Sequence, residues 1–166
     1  MKKVIGIMLI LFTLISTTTC SVNAVKFDQN CTGYLKRAAD ANTVEIAKSE
    51  LTKTIDYLET NNITKGYTSV FYETPDEDIS FWYNNLKASQ LELSKVNDST
   101  SALEKTNLLM KLRETLLDSG EKGDHLTIPD GLWRYPNNLL FGILFWISLL
   151  SLFVGPLLII LYYEEN

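Results

Sequence analysis

Hydrophobic residues are concentrated near the two ends of the chain, and the longer run lies at the C-terminal end. From Leu139 to Tyr163, 25 consecutive residues carry no charge and are rich in Leu, Ile and Phe. As an α-helix this segment would be about 37 Å long, more than the ~30 Å hydrocarbon layer of a membrane. The pattern predicts one transmembrane helix at 139–163, followed by a cytoplasmic tail at 164–166.

A shorter apolar run opens the chain and has the layout of a secretory signal peptide. Lys2 and Lys3 precede twelve apolar residues, Val4–Ile15, and Val22-Asn23-Ala24 fits the small-x-small cleavage rule. Twelve apolar residues are short for a membrane span, so a cleaved signal at 1–24 is favoured over a second anchor. Another interpretation attaches lipid at Cys20, although the residues before it, Thr17-Thr18-Thr19, fit a lipoprotein signal poorly.

The pairing of the two cysteines depends on whether residues 1–24 are cleaved. After cleavage only Cys31 remains, and a lone cysteine in an exported domain is either a buried thiol or an intermolecular disulfide. If residues 1–24 are retained, Cys20 and Cys31 could pair with each other. Cys20 and Cys31 are therefore candidate disulfide or lipid sites.

The region between the two hydrophobic runs, 25–122, has the spacing of amphipathic helices. Apolar residues recur at steps of three or four from Cys31 to Leu58 and predict one helix of eight turns, ended by Asn61-Asn62. Thr74-Pro75, with a Glu at position 77, predicts the start of a second helix. Ser101 with Glu104 predicts the start of a third, which ends at the glycines 120 and 123.

Three amphipathic helices must bury their apolar faces against one another, which favours an antiparallel bundle. The expected fold class is therefore all-α, a three-helix bundle followed by a single transmembrane helix. The strand-forming segment Tyr67–Tyr72 is interpreted as a packed loop. The segment 123–138, with Pro129 and Pro136, is interpreted as an irregular juxtamembrane linker whose Trp133 and Tyr135 belong to an interfacial aromatic belt.

Charge indicates which partners to expect. Residues 25–138 contain 13 Lys and Arg against 18 Asp and Glu, with no basic stripe, so nucleic acid is not an expected partner. Membrane lipid is an expected partner of the apolar helix. With Lys2 and Lys3 in the cytoplasm, the helical domain lies outside and the C-terminus returns inside. A tail-anchored protein with a cytoplasmic domain is the alternative, and it would leave the N-terminal apolar run unexplained.

No residue pattern predicts catalysis, a cofactor or a metal. His125, the one histidine, lies beside Asp124 in the glycine- and proline-rich linker, where a solvated side chain is expected. Four carboxylates occur within six residues, and they are explained as helix-start residues because EF-hand spacing is missing. These four are Glu73, Asp76, Glu77 and Asp78.

Two groups of residues are candidates for association. Aromatic residues cluster around the start of the second helix, and Trp82 is assigned to the core. The others either cover the loop at 62–75 or form a patch for partner binding: Tyr67, Phe71, Tyr72, Phe81 and Tyr83. In the membrane helix, Ser148, Ser151 and Gly155 lie on one face. These small side chains either let another helix approach or are simply tolerated against lipid.

The sequence therefore favours a membrane-anchored, non-enzymatic interaction or accessory protein with an exported helical domain and a protein partner or self-association. The alternative is an extracytoplasmic ligand sensor or an envelope enzyme that uses the aromatic and acidic region at 67–83. A tail of three residues is too short to hold a cytoplasmic effector domain.

Overall fold

Helices dominate the structure, a computed structural model that describes residues 1–120 and 123–165. The helices are α1 (Lys2–Phe27), α2 (Gly33–Ala39), α3 (Val44–Thr60), α4 (Ile79–Ser94), α5 (Ala102–Leu116) and α6 (Asn138–Glu164). Two short antiparallel strands, β1 (Leu117–Gly120) and β2 (Gly123–Leu126), form the sheet. The prediction of an all-α protein is confirmed.

The contacts divide the chain into two units, each described by itself. The helical domain comprises residues 26–136, and the helix pair comprises residues 1–25 together with the segment that begins at Asn137. The linker predicted at 123–138 thus belongs almost entirely to the helical domain. Asn166, the last residue of the predicted tail, lies outside the described residues, as do Glu121 and Lys122.

In the helical domain, four helices share one hydrophobic core. α3 packs against α2 and α4, and α5 contacts α2, α3 and α4. The largest fully buried side chains come from all of these helices and include Leu35, Leu51, Ile55, Leu58, Ile79, Leu86 and Leu116. Apart from Leu35, these positions were predicted by the apolar spacing, because each lies on the face that its helix turns toward the others.

The prediction of one helix from Cys31 to Leu58 is wrong. The chain turns at residues 40–43, and Thr43 begins α3 as its N-cap, with its hydroxyl accepting a hydrogen bond from the Ile46 amide at 3.3 Å. α2 and α3 are therefore two helices that pack against each other. The apolar spacing hid the turn because Ala38, Ala41 and Val44 keep a step of three residues across it.

Two other predicted helix starts had different outcomes. Ser101 is the N-cap of α5 and accepts a hydrogen bond from the Glu104 amide, as predicted. Thr74 was expected to begin the second helix but instead precedes a single 3₁₀ turn, Pro75–Glu77. α4 begins at Ile79, with Asp78 as its N-cap.

The segment after α5 is more ordered than predicted. α5 ends at Leu116, before the predicted glycine stops, and the chain enters the β1–β2 hairpin, in which Leu117 pairs with Leu126 and Asp118 with His125. Leu132 is buried in the core. The Tyr135 hydroxyl donates a hydrogen bond to the Lys65 carbonyl at 3.0 Å, and Trp133 and Tyr135, which the sequence assigned to an interfacial belt, pack against the core of the helical domain.

The helix pair contains parts of two helices, where the sequence predicted one membrane span. Among the described residues, the helix that starts at Lys2 and the helix Asn138–Glu164 are both long and apolar enough to cross a membrane by length and composition. Residues 1–24, interpreted as a signal peptide, are helical from Lys2 onward.

Candidate binding surface

Two of the five candidate aromatic residues are held by the fold. The Tyr83 hydroxyl donates a hydrogen bond to Glu59 Oε1 at 2.6 Å and links α4 to α3. Burial, together with this hydrogen bond, raises the pKa of Tyr83 to about 12. The hydrogen bond from Tyr83 and one from Lys87 lower the pKa of Glu59. Tyr67 pairs with Asp78 through an isolated β-bridge, which closes the loop before α4.

The other three aromatic residues are exposed. Phe71, Tyr72 and Phe81 expose 86%, 80% and 65% of their surfaces, while Trp82 exposes only 6% and belongs to the core, as the helical spacing predicted. Large aromatic side chains lose hydrophobic stabilisation when they stay in water, and aromatic residues are enriched at protein-binding surfaces. We call Phe71, Tyr72 and Phe81 the exposed aromatic trio.

Two acidic residues close to this trio in the chain form local hydrogen bonds. The Asp78 carboxylate accepts hydrogen bonds from the Ser80 and Phe81 amides, at 2.8 and 3.2 Å, and so caps α4. The Thr74 hydroxyl donates to the Glu77 carboxylate at 2.7 Å across the 3₁₀ turn. Of the four clustered carboxylates, Asp78 therefore has the structural role that the sequence assigned to the group.

A cleft of about 610 Å³ opens between this acidic turn and the β-hairpin. One wall consists of the 3₁₀ turn and the start of α4, including Phe81 and Trp82. The opposite wall comes from the end of α5, the hairpin and the segment after it, including Thr115, Asp118, His125 and Asp130. Of the exposed aromatic trio, Phe81 lines this cleft, and Phe71 and Tyr72 precede the acidic turn by a few residues in the chain.

The cleft is strongly acidic. Five carboxylates line it, and the described residues of its walls include no Lys or Arg. These carboxylates are Asp76, Glu77, Asp78, Asp118 and Asp130. Like charges that face one another repel, and a cation placed among them removes that repulsion. The cleft therefore suits a positively charged group, and the face of the Phe81 ring offers such a group a cation–π contact.

His125 has a different setting from the one expected. It is exposed, but it lies on β2 opposite Asp118 and lines the cleft, so backbone pairing positions it. Its neighbour Asp124 forms an ion pair with Arg113, in which Asp124 Oδ2 lies 3.1 Å from Arg113 Nη2. Within the described ranges, no three His, Cys, Asp or Glu residues are arranged to hold a metal ion.

The candidate association residues of α6 lie inside the helix pair. Ser148, Ser151 and Gly155 are buried, although most of α6 is exposed. The Ser148 carbonyl accepts a hydrogen bond from the Thr13 hydroxyl of α1, and the atoms nearest to a Cβ built on Gly155 are those of Gly6, Ile10 and Leu9, also on α1.

Both cysteines have free thiols. Cys31 is fully buried in the core of the helical domain, while Cys20 is partly exposed on α1. The pairing of Cys20 with Cys31, one of the arrangements that the sequence left open, is not formed.

The comparisons with known proteins add no relative. No protein-family model, curated protein or solved structure matches this chain.

One wall of the cleft was not predicted from the sequence. Asp118, His125 and Asp130 are far from residues 74–82 in the chain, and pattern analysis of a single sequence has no means of bringing the two segments together. The available signal was the pair of glycines at 120 and 123, which were interpreted as helix stops. Two glycines so close together also occur at a hairpin turn.

Proposed function

We propose that this protein is a membrane-anchored, non-enzymatic interaction protein whose exported helical domain binds a positively charged segment of a partner protein. The apolar helices anchor it in lipid. The partner's basic side chains enter the acidic cleft, and the exposed aromatic trio contacts the adjoining part of the same segment.

The observation that carries this proposal is the combination of three exposed aromatic residues with a cleft lined by carboxylates. The aromatic residues favour removal from water, and the carboxylates favour a cationic neighbour. Phe81 belongs to both features, so one extended basic segment could contact the cleft and the aromatic residues together. Ionic attraction across such a surface mainly speeds association and selects the partner.

The test measures binding of a defined cationic probe to the full-length protein in neutral lipid nanodiscs. The probe is a decapeptide of alternating Lys and Gly, and empty nanodiscs provide the blank. We expect binding to weaken several-fold in the double variant Asp76→Asn with Asp118→Asn, because two cleft charges are removed. Raising the salt concentration should weaken binding further.

A matched control separates the cleft from overall charge. The double variant Asp56→Asn with Asp98→Asn removes the same number of exposed carboxylates outside the cleft. Phe81→Ala should weaken binding, whereas Leu103→Ala, which removes another exposed apolar side chain on α5, should not. Equal losses from the cleft pair and the control pair would show that only net charge matters, and the proposal would fail.

A second function is favoured by the size of the cleft. At about 610 Å³ it falls within the ~300–1,000 Å³ range of small-molecule sites, so a sensor for a small organic cation is the alternative. Titration with spermidine distinguishes the two functions. A sensor should bind spermidine tightly and independently of Phe71 and Tyr72, whereas a protein-binding surface should depend on the exposed aromatic trio.

A further inference from the structure

The packing between α1 and α6 is close enough to bring their backbones into contact. A Cβ atom on Gly6 would lie 2.6 Å from the Gly155 carbonyl oxygen, and a Cβ on Gly155 would lie 3.1 Å from the Gly6 carbonyl oxygen. A side chain at Gly6 would force the backbones apart, and one at Gly155 would make a tight contact that the neighbouring atoms must yield to. Close approach through small residues is how helices associate in lipid, where no hydrophobic effect drives them together.

Polar contacts accompany the glycine crossing and show that the helices run in opposite directions. The Thr13 hydroxyl lies 3.3 Å from the Ser148 carbonyl oxygen, to which it donates. Near the chain ends, the Lys3 ammonium donates to the Tyr163 hydroxyl at 2.9 Å, and Lys2 forms an ion pair with Glu165. α1 therefore contacts α6 near its charged end, at the glycine crossing and in the middle of the pair.

The second half of α1 is better suited to lipid than its composition indicates. Residues 4–25 carry no charge, and at about 1.5 Å per residue they extend roughly 33 Å, enough for a span. Four hydroxyl side chains after Ile15 donate their hydrogens to carbonyls of the preceding helical turn. Thr17 donates to Thr13, Thr18 to Leu14, Thr19 to Ile15 and Ser21 to Thr17. These hydroxyls therefore need no water, which lowers the cost of placing them in hydrocarbon.

These contacts bear on the fate of residues 1–24. Cleavage after Ala24 would remove the helix that covers Ser148, Ser151 and Gly155 and would leave that face open to lipid. The bond after Ala24 also lies within α1, which continues to Phe27, so a peptidase would have to unwind the helix to reach it.

We propose that α1 is retained in the mature protein as a second membrane span, paired with α6 through the Gly6–Gly155 crossing. The small-residue face of α6 then binds this chain's own N-terminal helix and is not available to a partner or a second copy. Both chain ends lie on the same side of the membrane. This inference rests on the membrane anchoring in the proposed function.

The test uses the full chain in its membrane, in a Cys20→Ser background that leaves only the buried Cys31. Thr13→Cys combined with Ser148→Cys should give an intramolecular disulfide under mild oxidation, visible as a mobility shift that a reductant reverses. Leu14→Cys with Ser148→Cys is the matched control, because Leu14 is exposed on α1. Intact-mass measurement of the same sample shows whether residues 1–24 remain.

Glycine variants test the crossing itself. Gly6→Leu should reduce the cross-link several-fold, whereas Gly142→Leu should leave it unchanged, because no atom lies within 4 Å of a Cβ at Gly142. A mature chain that begins at Val25, or a cross-link that forms only between two copies, would overturn the inference while leaving the protein in the membrane. Recovery of the protein in the aqueous fraction would instead overturn the anchoring on which it rests.

Discussion

At the scale of single residues, α3 carries a buried carboxylate. Glu50 is among the buried residues of this helix, and its side chain is only 5% exposed. Its carboxylate lies 2.7 Å from Lys53 Nζ and 3.1 Å from Arg37 Nε. Both cations remain partly exposed, so they neutralise the buried charge without losing their own hydration. Sequence periodicity assigns a residue to a face, but it does not show which long cationic side chains can reach across to it.

This arrangement predicts an asymmetry between the partners. Replacing both cations, Arg37→Met with Lys53→Met, leaves Glu50 buried without a counter-charge and should lower the free energy of unfolding by about 2–3 kcal/mol. Adding Glu50→Gln to that variant should restore part of the loss, because a neutral amide costs less to bury. The measurement is urea denaturation of the full-length protein in a neutral detergent. If Glu50→Gln instead destabilised the double variant further, the unpaired charge of Glu50 would not be the cause of the loss.

At the scale of elements, the sequence located helices better than it located their ends. Ser101 and Asn61-Asn62 are real boundaries because their signals act within one turn of the chain. The turn at 40–43 was missed because apolar spacing continued across it, and the hairpin was missed because pairing between Leu117 and Leu126 is not local. The linker could not be recognised as packed, since the burial of Leu132 depends on the assembled core.

The start of α4 gives a direct test at this scale. Asp78 accepts two amide hydrogen bonds at the helix start, so Asp78→Ala should destabilise the protein by about 1 kcal/mol. Thr74→Ala removes the capping residue that the sequence favoured. It should cost less than about 0.5 kcal/mol, because the Thr74 hydroxyl contacts only the exposed Glu77 carboxylate. Thermal unfolding measures the stability of both variants. A larger loss of stability for Thr74→Ala than for Asp78→Ala would indicate that Thr74 begins the helix, as the sequence predicted.

At the scale of the whole molecule, each candidate binding surface forms where two segments that are distant in the sequence meet. The aromatic and acidic residues at 67–83 were identified from sequence, but the cleft exists only because the hairpin supplies its second wall. In the same way, Ser148, Ser151 and Gly155 were identified as a face without an occupant, and the structure covers that face with α1. Composition indicates that such faces need partners, and only the fold identifies which residues lie against them.

The proposed anchoring rests on the lengths and composition of α1 and α6, and alkaline carbonate extraction of membranes that contain the full-length protein tests it most directly. A helix that crosses the hydrocarbon layer exchanges its apolar surface with lipid and resists washes that remove peripheral proteins. We expect the intact chain to stay in the pellet after carbonate treatment and to be released only by detergent. Recovery of the full-length chain in the carbonate supernatant would contradict the account.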